Sequence, residues 1–186
     1  QTYATITKYF VIFGSFICLG VIVFADILKL ILVPKETYWD AMDVVPLIVL
    51  ANFFLGIYTN LSIWYKLIDK TRIGAYISII GALVTLVLNL ILIPMISYMG
   101  SAIATILAYG TMMFISYYMG QKKYPIPYDK KSIFTYLGLA IVLSGTSFYV
   151  PILRETYVFG IAAILFFAYF VYRNEKETII TIIRRK

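Results

Sequence analysis

The fold class this chain predicts is an all-α, polytopic transmembrane helix bundle, and three observations predict it. Hydrophobic residues make up 62% of the 186, with a mean hydropathy of +0.90. Soluble domains hold roughly 45–50% apolar residues, so a soluble reading would demand a core too large for the rest of the chain to cover. Second, the apolar residues fall into six long runs, most of them near the ~20 residues of helix that cross ~30 Å of hydrocarbon. Third, the cations alternate with those runs. Lys8, then Lys66, Lys70 and Arg72, then Lys122, Lys123, Lys130 and Lys131, then Arg173, Lys176, Arg184, Arg185 and Lys186 fall on one side of the thread. That is thirteen of sixteen, and only Lys29, Lys35 and Arg154 fall on the other. Cytoplasmic loops carry an excess of Lys and Arg, and the bias is diagnostic where loops are short. Three helical hairpins with both termini in the cytoplasm are expected.

The first helix is expected over about 9–33, with Asp26 and Lys29 near its outer end. A second, over 44–65, opens with Pro46 in its first turn, where a missing N–H costs nothing. A third covers 73–93 and stops at Pro94; the fourth, fifth and sixth cover 99–119, 133–150 and 157–172. The sixth is short for a full crossing and open to extension at either end. Outer turns such as 94–98 and 151–156 are too small to hold a domain. The longest inner connection, 120–132, carries Tyr124-Pro125-Ile126-Pro127-Tyr128, expected to be extended because each Pro disfavours helix in the residue before it. Aromatic pairs lie at the predicted interfaces: Tyr38 with Trp39, Trp64 with Tyr65, Tyr117 with Tyr118, Tyr169 and Tyr172. Tyr and Trp favour the headgroup level. The bundle is expected to fill 1–172. Residues 173–186, with Ile179, Ile180, Ile182 and Ile183 among charges, are expected to form a basic amphipathic cytoplasmic tail lying on the surface. The chain starts at Gln1 with no Met and no signal-peptide n-region, so it reads as part of a longer protein.

Charge and composition exclude several functions. The net charge of +7 divides into +9 on the basic side, after Asp69, Asp129, Glu175 and Glu177, and −2 on the other, which holds Asp26, Glu36, Asp40, Asp43 and Glu155. Topology explains that asymmetry, with anionic inner-leaflet lipids as the electrostatic partner; nucleic acid is not needed. There is no His, and Cys18 is the only Cys, placed mid-helix as a small hydrophobe. An intrachain disulfide and imidazole chemistry are therefore excluded. The chain has no phosphate-cradling Gly-rich loop followed by Lys and no metal-ligand cluster. No outer loop is large enough for a glycan acceptor. An enzyme is not expected, nor a cofactor or a metal; any driving energy comes from an ion gradient, a substrate gradient or the rest of the protein.

Polar residues inside the helices are the remaining candidates. On the second helix Asn52, Gly56, Thr59 and Asn60 share a face; the third has Gly74, Ser78, Gly81, Ala82, Thr85 and Asn89, the fourth Ser101, Ala104, Thr105, Ala108 and Thr111. In lipid such stripes permit close helix approach and interhelical hydrogen bonds, and that packing role suffices for the small residues. For Asn52, Asn60 and Asn89, cavity lining weighs equally, because an unpaired amide is costly in hydrocarbon. Asp26 and Lys29, spaced i, i+3, are able to pair. Ionisable groups within a span are candidates for an ion or substrate pathway, against the simpler reading of an interfacial pair with Lys29 snorkelling to water. Lys66 and Arg72 stand at inner helix mouths, either as anchors or as attractors of a phosphorylated headgroup.

Between Trp39 and Asp129 the residues carry a resemblance. Asp40-Ala41-Met42-Asp43-Val44-Val45-Pro46-Leu47 leads into Ala51-Asn52-Phe53-Phe54-Leu55-Gly56-Ile57-Tyr58, then Trp64-Tyr65-Lys66 and Lys70-Thr71-Arg72-Ile73-Gly74. Leu88-Asn89-Leu90, Ile93-Pro94, Gly100-Ser101-Ala102-Ile103-Ala104-Thr105 and the Gly120–Tyr128 loop follow in order. Together they resemble the C-terminal part of bacterial polysaccharide-biosynthesis membrane proteins, the O-antigen and capsule flippases of the multidrug/oligosaccharidyl-lipid/polysaccharide exporter superfamily. The likeness covers about half of the chain. It implies the last six of about fourteen helices in a two-lobed inner-membrane transporter that flips an undecaprenyl-diphosphate-linked oligosaccharide by alternating access. Its implied partners are the lipid-linked glycan, membrane lipids and glycan-assembly proteins. Asn52, Asn60, Lys66 and Asn89 become substrate-cavity candidates, and Asp26 and Lys29 ion-coupling or pathway candidates. Two other functions fit the same pattern: a multidrug or other lipid exporter of that superfamily, which Asp26 alone as intramembrane acid weakens, and a non-transporting membrane subunit of a glycan-assembly complex.

Overall fold

The computed structural model describes residues 2–33, 35–155 and 157–184, with side chains for all of these except 38, 40, 155 and 177–184. Every regular element among them is a helix: α1 (Thr2–Val23), α2 (Ala25–Leu32), a 3-10 helix (Glu36–Val44), α3 (Val45–Leu61), α4 (Ile63–Leu67), α5 (Arg72–Lys123), α6 (Lys130–Tyr149), α7 (Pro151–Glu155) and α8 (Val158–Arg184). Among the described residues, five segments are long and apolar enough to cross a membrane: Thr2–Val23, Ala41–Leu67, Arg72–Lys123, Lys130–Tyr149 and Val158–Lys176. The chain is a membrane protein of all-α class.

The first helix begins earlier than its apolar run. Thr7 Oγ1 donates one turn back to the Tyr3 carbonyl at 2.9 Å within the helix, and Lys8, held by two carboxylates, ties the polar start of α1 to the bundle. Only Phe24 separates α1 from α2, and the Phe24 N–H to Gly20 and Leu28 N–H to Phe24 bonds carry the helix through it. A 3-10 helix fills what the sequence leaves as an outer connection, and α3 starts where Pro46 predicts.

At 1.5 Å per residue, the 52 residues of α5 would make a rod of roughly 78 Å, more than twice the hydrocarbon thickness. The rod is instead doubled back. Ile96 and Ser97 leave helical geometry, with Ser97 at φ 51°, ψ −134°. Beyond the bend, Gly100 lies on the backbone of Leu92: a Cβ there would sit 2.6 Å from the Leu92 carbonyl carbon. Farther along, Gly81 faces the Met112 thioether, and these two residues are equidistant from the bend. Limbs 72–95 and 98–123 are therefore antiparallel. The expected stop at Pro94 is real within three residues; the helix passes the proline and breaks at 96–97.

The core centres on α1. Val11 and Leu19, both fully buried, meet Phe53 and Ile57 of α3, Tyr136 and Ala140 of α6, and Phe167 of α8. A second cluster, Tyr58, Trp64, Tyr65, Ile77, Met112 and Ile126, fills the space between α3–α4 and the α5 limbs. Trp64 and Tyr65, near the end of the Ala41–Leu67 span, are enclosed by protein, at 1% and 6% exposure. Trp64 Nε1 donates to the Ser116 carbonyl at 3.0 Å, and its ring lies against Gly120, as Tyr65 lies against Gly74. Missing side chains opposite them make room for the rings.

The connection after α5 has no regular structure over 125–129, but it is not extended throughout as expected: the Tyr128 N–H donates to the Ile126 carbonyl at 2.9 Å, a tight turn centred on Pro127. Ile126 is tucked inside while Gln121 Nε2 donates to the same carbonyl at 2.8 Å. Asp129 then caps α6 by accepting from the Ser132 N–H. The last helix takes up the extension its short apolar run left open. Its backbone does not end near Tyr172 but continues to Arg184, because no Gly or Pro interrupts 173–184 and Glu175 is anchored in the bundle. The amphipathic placement expected for Ile179, Ile180, Ile182 and Ile183, and the interfacial one for Tyr38, fall outside the described side chains.

Candidate functional site

Charged side chains gather at opposite ends of the bundle. At one end, α2 presents Asp26 in its first turn and Lys29 one turn later, 3.4 Å apart. The α6–α8 connection brings Arg154 of α7 to the same carboxylate: Nε reaches Oδ2 at 2.7 Å and Nη2 reaches Oδ1 at 2.6 Å. This two-pronged geometry is what a planar guanidinium makes with a carboxylate. Arg154 also stacks on Phe148, 4.1 Å from the ring centroid, and its Nη1 stands 3.8 Å from Asp43 at the end of the 3-10 helix. Lys29 rests over Trp39 at 4.6 Å, and Trp39 Nε1 donates to the Val33 carbonyl. Asp26 lies past the end of the Thr2–Val23 span. The Arg154 guanidinium bonded to it holds its carboxyl below the usual carboxylate range, against the opposing push of burial. Asp26, Asp43, Arg154, Phe148, Tyr149 and Tyr157 border an open cavity of about 660 Å³.

The expected Asp26–Lys29 pair is present, but Arg154 is the closer partner and sequence reasoning missed it. A signal was available. Arg154 is the only arginine on the side of the thread that also holds Asp26, Lys29 and Asp43.

At the other end, Glu175 of α8 is 4% exposed and accepts from the Tyr136 hydroxyl at 2.9 Å and from Lys8 at 2.5 Å. Lys8 also stands 3.4 Å from Asp129. Hydrogen bonds from Ser132, its hydroxyl and its backbone N–H, hold the Asp129 carboxyl below its ordinary value, with Lys8 adding to the effect. These contacts tie α1, α6 and α8 together. Nothing in the sequence separates Glu175 from the solvated charges around it; its burial comes from the packing of α8 on α6.

The amide candidates do not converge. Asn52 is exposed and Asn60 half-buried, and each donates to the carbonyl four residues back, Ile48 at 2.8 Å and Gly56 at 3.0 Å. Asn89 is half-buried with a buried Oδ1 that finds no partner, and Lys66 is exposed on α4. Thr59, Thr85, Thr105 and Thr111 likewise bond the preceding turn. The small-residue stripes serve packing: Ala104 and Ala108 are fully buried, and Gly56 lies against Phe10.

The two charged ends differ chemically. Around Arg154, carboxylates, guanidinium and aromatic faces border open space, the groups that sugar hydroxyls and sugar rings engage. Around Glu175 the charges are paired with one another, Glu175 itself enclosed and Asp129 exposed at the rim. No family model, no curated protein and no solved structure matches this chain.

Proposed function

We propose that the chain is the C-terminal bundle of a bacterial inner-membrane flippase. Its cargo is an undecaprenyl-diphosphate-linked oligosaccharide for O-antigen, capsule or exopolysaccharide synthesis, moved by alternating access without covalent chemistry. In this reading the chain crosses six times, α5 twice, with both termini and the Lys8 end in the cytoplasm. The excess of Lys and Arg in the connections at that end supports the orientation. The observation that carries the reading is the Arg154 cluster: a charged latch across the outer ends of three connections, bordering a cavity of about 660 Å³. Closing and opening that end is the part of alternating access this bundle would contribute. Substrate contact by Asn52, Asn60, Lys66 and Asn89 belongs to the same proposal.

The test is glycan-lipid movement in vesicles holding the full-length protein, read by access of an outside quencher to a labelled oligosaccharide. Movement well above protein-free vesicles is expected, falling several-fold in Arg154→Ala. No movement by well-folded protein overturns the reading in favour of a non-transporting subunit, and movement of organic cations instead of glycan lipid would make it a drug exporter. Full-rate flipping by Lys66→Ala with Asn89→Leu would remove those two as cargo contacts.

A further inference from the structure

A groove near the Lys8 end has a chemistry of its own, independent of the cargo proposed above. Leu61 of α3, Met113 and Phe114 of α5, and Phe134 and Leu137 of α6 line a cavity of about 210 Å³. Leu61 and Leu137 form its buried floor, at 6% and 8% exposure, and Phe114 and Phe134 its open rims, at 67% and 70%. Three polar groups gather at one end. Lys130 is exposed, 5.4 Å above the Tyr117 ring, and among the described residues no carboxylate stands within salt-bridge distance of it. The neighbouring carboxylate, Asp129, is engaged by Lys8 and by the Ser132 N–H. Tyr117 Oη is buried and has no hydrogen-bond partner. Tyr128 packs beside Tyr117, 6.1 Å between ring centroids, and burial pushes its hydroxyl up to about 12, so it stays a proton donor.

We propose that this groove binds an anionic phospholipid, one acyl chain lying along Leu61, Met113 and Leu137 and the phosphate meeting Lys130 and the two tyrosine hydroxyls. A cavity this narrow takes one chain, and the second stays in the bilayer. Charge complementarity selects the headgroup: one unpaired ammonium and two hydroxyls, with a buried Tyr117 oxygen left to satisfy, match a phosphate bearing net negative charge. A zwitterionic lipid brings its own ammonium to the same place and loses that advantage. Basic pockets between membrane helices hold anionic headgroups in this way.

Phe134→Trp places a reporter on the groove rim of the intact protein, and the parent protein, with Trp39 and Trp64, supplies the baseline to be subtracted. Phosphatidylglycerol with brominated chains is expected to quench the added tryptophan more strongly than brominated phosphatidylcholine at equal mole fraction. Adding Lys130→Ala should weaken the phosphatidylglycerol preference about fivefold, and Lys131→Ala should leave it intact. Equal quenching by both lipids would make the groove an ordinary lipid-facing surface and overturn the proposal. An equal loss in Lys131→Ala would assign the preference to diffuse surface charge and overturn it too.

Discussion

Arg154 spends two of its five N–H groups on one carboxylate, so its loss is felt mainly by what stays behind. In Arg154→Ala, Asp26 keeps only Lys29, 3.4 Å away, and a half-buried charge loses its strongest donor. The site is partly open to solvent, which reduces the penalty; thermal unfolding in nanodiscs should show a loss of about 1–2 kcal/mol. Asp26→Asn separates charge from shape. Because folding lowers the Asp26 pKa, its stabilising effect is present above the unfolded carboxylate value and is lost as pH falls through the folded one. The stability gap between the parent and Asp26→Asn should be full at pH 7, shrink below about pH 4 and close in stronger acid. A gap that is constant with pH would mean that the pair contributes packing and no charge interaction.

The doubled α5 depends on what its glycines lack. At Gly100 a methyl group would meet the Leu92 backbone at 2.6 Å, and a backbone cannot rotate aside as a side chain does. Gly100→Ala should therefore cost about 1–3 kcal/mol, the range for overpacking. Gly138, also helical, has nothing within 4 Å of the position a Cβ would take. There the ordinary preference of helices for alanine applies, and Gly138→Ala should be neutral or stabilising by up to about 1 kcal/mol. Ser97 holds φ 51° at the bend, so Ser97→Gly should raise the melting temperature slightly by removing a Cβ from a strained conformation. Equal losses for Gly100→Ala and Gly138→Ala would mean that the limbs are not in backbone contact.

At the scale of the whole molecule, ion pairs separate as the cation order does. Lys8, Asp129 and Glu175 meet at one end; Asp26, Lys29, Asp43 and Arg154 meet at the other. Among the described residues, no ion pair joins positions assigned to opposite sides of the thread. Exposed positions at the two ends should then differ in access from outside intact cells. A membrane-impermeant maleimide should label Lys35→Cys and spare Lys123→Cys, with Cys18 silent because it is buried. Labelling at Lys123→Cys would invert the orientation and take the proposed direction of transport with it.

Much of the architecture was legible in the chain. Apolar runs of membrane length, Pro46 at a helix start, the Pro125–Pro127 connection and the sorting of charges are local or periodic signals, and a bilayer admits few backbone solutions besides helices. Spacing also announced the Asp26–Lys29 contact, since i, i+3 is a property of one helix. What the sequence could not announce involves two helices far apart along it. Arg154 closes on Asp26 across 128 residues, Glu175 is buried by the docking of α8 on α6, and Trp64 is interior because Gly120 lies opposite it. Hydropathy orders each segment against the bilayer. Only packing decides which faces meet, and therefore which charges are paired, which rings are enclosed and which grooves stay open to lipid.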